Sequence, residues 1–238
     1  MTHRATRLTD REHGTSTPQP ASSRPARRRP TEPIGLYDPA FEHDSCGVAF
    51  VARLNGIPTH EAIERAITAL DNLEHRGAAG ADPLTGDGAG ILLQLPDEFF
   101  RAVIDEELPP PGAYGVASCF LPRGDEGRRA ELEQILVDAV EAEGQRVVCW
   151  RDVPTDLAEV GATAREVAPF VRQLLVAASP ELACDRDAFE RKLYVIRCVA
   201  ERTAGPGLVI PSFSCKTLVY KGMLMAPQLA PCYPDLRD

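Results

Sequence analysis

The chain has 238 residues, 44% apolar and 26% charged, with a formal net charge of −9; that is material for one domain of ordinary to large size or two small ones. The acidic balance disfavours nonspecific binding to nucleic acid or an anionic membrane surface, and no run of about 18 apolar residues could span a bilayer. Twenty-one prolines are many for a compact fold, and their positions divide the chain.

The head comes first. Residues 1–33 hold Pro18, Pro20, Pro25, Pro30 and Pro33, and seven arginines against Asp10 and Glu12 leave residues 1–30 at +5. With almost no aliphatic side chains this stretch cannot offset its ordering entropy, so a disordered basic tail is expected over residues 1–45. It has no apolar region of a secretory signal. Its Arg and Ser content also suits a transit peptide, but a solvated tail is the simpler reading.

Residues 46–54 (CGVAFVARL) read as a buried strand. Asn55-Gly56-Ile57-Pro58 is a turn, and Thr59 is a candidate N-cap for an amphipathic helix over 60–74 carrying Ile63, Ala66, Ile67, Leu70 and Leu73. A glycine-rich loop, 75–90, runs into a strand at 91–95, and Asp97 opens a short helix to about Glu107. After the prolines at 109–111, a strand is expected at 114–121, then a helix at 125–143 stopped by Gly144, and a strand at 147–150. Residues 152–168 suggest loop with one helical turn, and 170–178 fits helix or strand equally. Further strands are expected at 194–200 and 217–220, with a short piece at 208–210, before a proline-rich end. Helices and strands mix without regular βα repeats, so the fold class is α+β with sheets covered by helices.

The seven cysteines are odd in number and no Cys-x-x-Cys occurs. A disulfide framework and a zinc ribbon are both disfavoured, and a reducing, cytoplasmic location is expected. His43 and Cys46 lack a second ligand pair, and four residues after His60 stands Glu64, not His. No metal is expected.

Three segments stand out: Asp44-Ser45-Cys46-Gly47-Val48, His75-Arg76-Gly77-Ala78, and Thr85-Gly86-Asp87-Gly88-Ala89-Gly90-Ile91. A phosphate cradle would place its glycines before a helix, whereas these lead into a strand. They read better as tight turns and close strand approach. Arg76, near a helix end, could simply complement the helix dipole.

In order, GLYDPAFEHDSCGVAFVA, LEHRGAAGAD, TGDGAGILLQLPDEFF, TLVYKGMLMAPQL (217–229) and YPDLRD (233–238) resemble the N-terminal glutaminase domain of glutamate synthase large subunits, a class II glutamine amidotransferase. The resemblance covers residues 34–238. It implies an N-terminal-nucleophile fold, two antiparallel sheets between helical layers in an αββα sandwich, here incomplete. It implies cleavage between Ser45 and Cys46, with residues 1–45 a propeptide and 46–238 the first part of the domain. Cys46 is then the catalytic nucleophile, Arg76 a substrate-binding residue, and Gly77, Gly86, Asp87, Gly88 and Gly90 the wall of the site. The implied substrate is L-glutamine, and the implied partners are the rest of a synthase polypeptide and a small electron-donor subunit. FMN and an iron–sulfur cluster are expected only outside this segment. Family members carry Arg-Phe-Ser-Thr and His-Asn-Gly segments that bind the substrate and form the oxyanion hole. Neither string occurs here, so a truncated chain, inactive alone, is expected. A non-catalytic relic, a partner-binding fragment and another N-terminal-nucleophile amidohydrolase stay open as alternatives.

Overall fold

The computed structural model describes residues 46–237. The tail or propeptide expected over 1–45, including a cut after Ser45, lies outside the described residues. The elements are α1 (His60–Asp71), β1 (Ala89–Gln94), α2 (Asp97–Val103), β2 (Tyr114–Leu121), α3 (Glu126–Ala142), β3 (Arg146–Asp152), α4 (Ala162–Glu166), β4 (Phe170–Ala177), α5 (Arg186–Ala204), β5 (Val209–Ser214), β6 (Thr217–Gly222) and α6 (Leu229–Cys232), with 3-10 turns at Glu74–Arg76, Ala226–Gln228 and Pro234–Leu236.

A four-stranded sheet runs β3-β4-β2-β5, every neighbouring pair antiparallel; β2 faces β4 from Tyr114↔Ala177 to Leu121↔Phe170. Side chains alternate across a strand, so β2 serves two cores. Ala117, Cys119 and Leu121 join Leu174 and Val176 of β4 under α3 (Leu132, Leu136, Val140) and α5 (Phe189, Leu193, Ile196, Ala200). On the opposite face Tyr114, Val116, Val171 and Leu175 meet Leu218 and Tyr220 of β6, with Ile91 and Leu93 of β1 packed alongside. β1 and β6 form a separate antiparallel pair, Ala89↔Gly222 to Gln94↔Thr217. Phe100 of α2 and the end of the chain, Leu224, Leu229, Tyr233 and Leu236, complete this second core. The result is α+β with helices against antiparallel sheet.

The two long helices are well bounded. Asp125 and Asp185 accept hydrogen bonds from Arg128 N and Ala188 N as N-caps, and Gly144 and Gly205 follow the C-termini with positive φ.

Three expectations change. Residues 46–54 form no strand: they are irregular, with Val48, Phe50, Val51 and Leu54 exposed. A strand needs a ladder partner, and β1 and β6 pair with each other alone. The strand expected at 194–200 is the middle of α5. Its buried residues, Phe189, Leu193, Ile196, Ala200 and Ala204, follow helical spacing, while Tyr194, Val195 and Val199 on the outer side are exposed; apolar residues on both sides made the string look like a strand. The helix opened by Asp97 ends at Val103 instead of near Glu107. The stretch at 170–178 is resolved as strand β4, buried between β2 and β3.

Candidate active site

α1 turns its partly buried Ile63, Ile67 and Leu70 to the second core. It ends near Asn72, and a 3-10 turn bends the chain sharply: Arg76 N donates to Leu73 O (2.7 Å) and Gly77 N to Glu74 O (3.0 Å). His75 Nδ1 lies 3.0 Å from Asn72 O, tying the imidazole to the helix end. This bend is the seat of the residue after Cys46. A Cβ at Gly47 would stand 3.1 Å from Leu73 Cδ2 and 3.2 Å from Arg76 Cβ and Cγ. The Arg76 stem and Leu73 therefore fit closely against a residue without a side chain. Cys46 itself is exposed.

Beyond Gly77 the chain makes a small hairpin over residues 78–87. Asp87 N donates to Ala78 O (3.0 Å), Ala79 bridges Gly86, and Gly80 N donates to Thr85 O (3.1 Å). Asp87 Oδ1 lies 3.4 Å from where a Gly77 Cβ would be. Gly47, Arg76, Gly77 and Asp87 thus form a contiguous corner, with Cys46 next to Gly47 in the chain.

The other glycines of the segment serve close approach, as expected from sequence. A Cβ at Gly86 would be 2.4 Å from the Leu224 carbonyl oxygen, and one at Gly90 2.7 Å from Lys221 Cβ and 2.9 Å from Tyr220 O. Gly88 has φ 132°, a conformation open to glycine. Together they let the hairpin and β1 lie against β6 and its following turn. Asn55-Gly56, the sole Asn-Gly pair of the sequence, sits on an exposed turn closed by Gly56 N to Arg53 O (3.0 Å).

Two polar groupings outside that corner have no counterpart in the sequence reading. The first clamps the hairpin tip. Asp82 accepts from Leu84 N, Thr85 Oγ1 and Thr163 N, and these bonds, the Thr85 hydroxyl foremost, hold its carboxyl below the usual range. Buried Gln228 reaches the same tip through Leu84 O. The Asp82-Pro83 pair was a turn signal for half of this grouping; nothing local marked Gln228.

The second lies between the sheets. Arg151 pairs with Asp235 through two bonds (2.7 and 2.8 Å), Tyr220 donates to Asp235 (2.9 Å), and Arg151 also donates to Gln173 (3.0 Å). Burial alone would lower the Arg151 guanidinium, but the paired carboxylate outweighs it and raises it. Burial, with Asp235 beside it, pushes the Tyr220 phenol up. Among the described residues no cluster of three or more His, Cys, Asp or Glu side chains could hold a metal ion, and no helix is long and apolar enough to cross a membrane.

Comparison with known proteins bears on the same corner. The profile of the class-II glutamine amidotransferases matches residues 46–238, beginning at Cys46. The NADPH glutamate synthase large chain of Bacillus subtilis is 43% identical over 208 residues, 86% of this chain and 14% of that protein. Ferredoxin-dependent glutamate synthase 1 of Arabidopsis thaliana, named as chloroplastic or mitochondrial, is 37% identical over 237 residues, 96% of this chain and 14% of its own length. The NADH glutamate synthase of Saccharomyces cerevisiae is 35% identical over 218 residues, covering 86% of this chain and 10% of the yeast protein. The chain thus spans about 14% of the length of the first of these relatives. With the match running from Cys46 through the Arg76–Gly77 bend and the glycine hairpin to the last residue, the chain belongs to the class-II glutamine amidotransferases.

Proposed function

We propose that residues 46–238 are the first part of a glutaminase domain of a glutamate synthase, that residues 1–45 are a propeptide, and that Cys46 is the nucleophile once cleavage after Ser45 frees its amine. The observation that carries this reading is the close seat of Gly47 on Arg76 and Leu73, in a chain whose family match begins at Cys46. The helices and paired antiparallel sheets are consistent with an αββα sandwich.

The chemistry requires the free terminus. A cysteine thiol titrates near ~8.5 and an α-amino group near ~7.7–8.0, so the amine can take the thiol proton near neutral pH. The thiolate attacks the side-chain amide carbon of glutamine. The C–N bond breaks, ammonia leaves with the transferred proton, and a thioester to sulfur remains. Water then adds to the thioester carbon, releasing glutamate and returning the proton to the thiol. While Ser45 is attached the nitrogen is an amide and no base. Arg76 is the substrate-side cation of this corner, and Gly77, Gly86, Asp87, Gly88 and Gly90 shape its wall. In a longer synthase the ammonia would pass to 2-oxoglutarate, and FMN and an iron–sulfur cluster would be held outside residues 46–238.

The chain alone is expected to turn over glutamine negligibly. The Arg-Phe-Ser-Thr and His-Asn-Gly strings implied by the family resemblance do not occur in it, and one absent oxyanion donor alone costs about 3 kcal/mol of transition-state stabilisation. N-terminal sequencing of the purified protein tests the processing: a Cys46 terminus is expected, and an intact Met1 terminus overturns it. Labelling by the glutamine-shaped electrophile 6-diazo-5-oxo-L-norleucine, in a synthase polypeptide containing this segment, should fall on Cys46 and vanish in Cys46→Ala. Label retained by that variant would remove Cys46 from the role.

A further inference from the structure

The hairpin that walls the corner has little apolar anchorage of its own. Ala78, Ala79, Ala81 and Leu84 are all exposed. Its position is set by hydrogen bonds to two distant segments. The Gln228 carboxamide is fully used: Nε2 donates to Leu84 O (3.0 Å) and Glu159 O (2.8 Å), and Oε1 accepts from Met225 N (2.8 Å). One buried side chain therefore joins the hairpin tip, the loop before α4 and the turn after β6.

Beside it, the Asp82 carboxylate accepts from Thr85 Oγ1 (2.8 Å), Leu84 N (3.1 Å) and Thr163 N (3.2 Å), and Thr85 Oγ1 accepts from Ala164 N (3.3 Å). Gly161 N donates to Leu84 O (3.0 Å). The fit leaves no slack, since a Cβ at Gly161 would lie 2.3 Å from Thr85 Oγ1 and 2.5 Å from Asp82 Oδ2. The far end of the same hairpin sets Asp87 against Gly77, the residue after Arg76, whose stem seats Gly47.

We propose that Gln228, Asp82 and Thr85 are positioning residues: a latch that holds the 78–87 hairpin in the placement that keeps Arg76 beside Gly47, the residue after Cys46. They touch neither thiol nor substrate and act through the hairpin. The role given to the corner rests on the glutaminase reading; the latch itself rests on the bonds above.

The test uses the 238-residue chain with Thr85→Val, Thr85→Ser and Gln228→Ala. Valine keeps the shape of threonine and removes the hydroxyl, so it spares the fold if the larger change at Gln228 does not. Hydrogen exchange is read at the amides of Gly80 and Asp87, which close the hairpin, and at Arg76 and Gly77, which close the bend. Amides of residues 116–120 in β2 are the reference. Iodoacetamide alkylation of Cys46 is followed in parallel, with exposed Cys184 as the control thiol.

Thr85→Val and Gln228→Ala are expected to speed exchange at Gly80 and Asp87 about tenfold, the equivalent of one lost hydrogen bond, with the β2 amides unchanged. They are also expected to change the rate of Cys46 alkylation relative to Cys184, because the bend whose Arg76 stem seats Gly47, the residue after Cys46, is no longer held in one place. Thr85→Ser should restore both. Hairpin exchange that stays at the wild-type rate overturns the latch. Faster hairpin exchange with Cys46 alkylation unchanged overturns its action on the corner. An intact Met1 terminus would defeat the nucleophile assignment by a separate measurement, leaving the exchange result to decide the latch.

Discussion

Gly86 has room for a hydrogen and nothing more: the Leu224 carbonyl stands 2.4 Å from where a methyl carbon would go. That neighbour is backbone and cannot swing aside, so Gly86→Ala is expected to destabilise the protein by about 1–3 kcal/mol in urea unfolding; a smaller loss would mean that the turn after β6 yields easily. At Asp82 the carboxyl is held below its ordinary value by Thr85 and the amides of Leu84 and Thr163. A group lowered in the folded state stabilises above its unfolded value, near ~3.9, and that contribution is lost as pH falls through the folded value. The Leu84 and Thr163 amide resonances are therefore expected to hold steady from neutral pH down to the ordinary carboxylate range and to shift only below it, and not at all in Asp82→Asn; a midpoint above the ordinary value would contradict the hydrogen bonds. Among the thiols, burial raises Cys149, Cys215 and Cys232 to about 11 and also pushes up fully buried Cys119. At pH 8 iodoacetamide is expected to modify Cys46 and Cys184 well before Cys119, Cys215 or Cys232 by peptide mass mapping.

Two elements separate local propensity from realised structure. Residues 46–54 carry a strand-like string, yet Phe50 is 90% exposed and Leu54 106%. Apolar side chains this open promote association. Phe50→Ser with Leu54→Ser is expected to raise the soluble fraction of the isolated chain while leaving its urea stability within about 0.5 kcal/mol. A large loss of stability would show that these side chains are packed in solution. α5 is the converse. Its middle reads Leu193-Tyr194-Val195-Ile196-Arg197-Cys198-Val199-Ala200, rich in β-branched and aromatic residues, but the Asp185 cap, the Gly205 stop and the packing of Phe189, Leu193 and Ile196 on the sheet make it helix. Neither the cap nor the stop entered the sequence-based expectation of a strand at 194–200; that helix wins over local β propensity was decided by burial. β2 and α3, by contrast, were legible almost to the residue, since one is a continuous apolar run and the other an apolar stripe between an aspartate and a glycine.

At the scale of the molecule, Arg151 and Asp235 tie the end of the chain to the larger sheet. Their side chains are 11% and 5% exposed, and each would be left as a buried charge without the other. Arg151→Ala or Asp235→Ala is expected to cost about 3–5 kcal/mol, whereas Arg151→Met with Asp235→Leu should cost less than either alone. Urea unfolding of the three variants checks this, and single variants losing under about 1 kcal/mol would mean that water replaces the missing partner. What the sequence by itself determined was local or ordered along the chain: the helix α3 between Asp125 and Gly144, the continuous apolar strand β2, the close approach at Gly86 and Gly90, and the succession of motifs that marks the amidotransferase family. Only the tertiary structure decided that residues 46–54 stay unpaired, that α5 is a helix, and that Gln228 meets Leu84 across 144 positions. The reason is physical. Caps and hydrophobic periods act within a few residues, whereas a ladder partner, a buried face or a carboxamide bridging three segments exists only once distant parts of the chain have met.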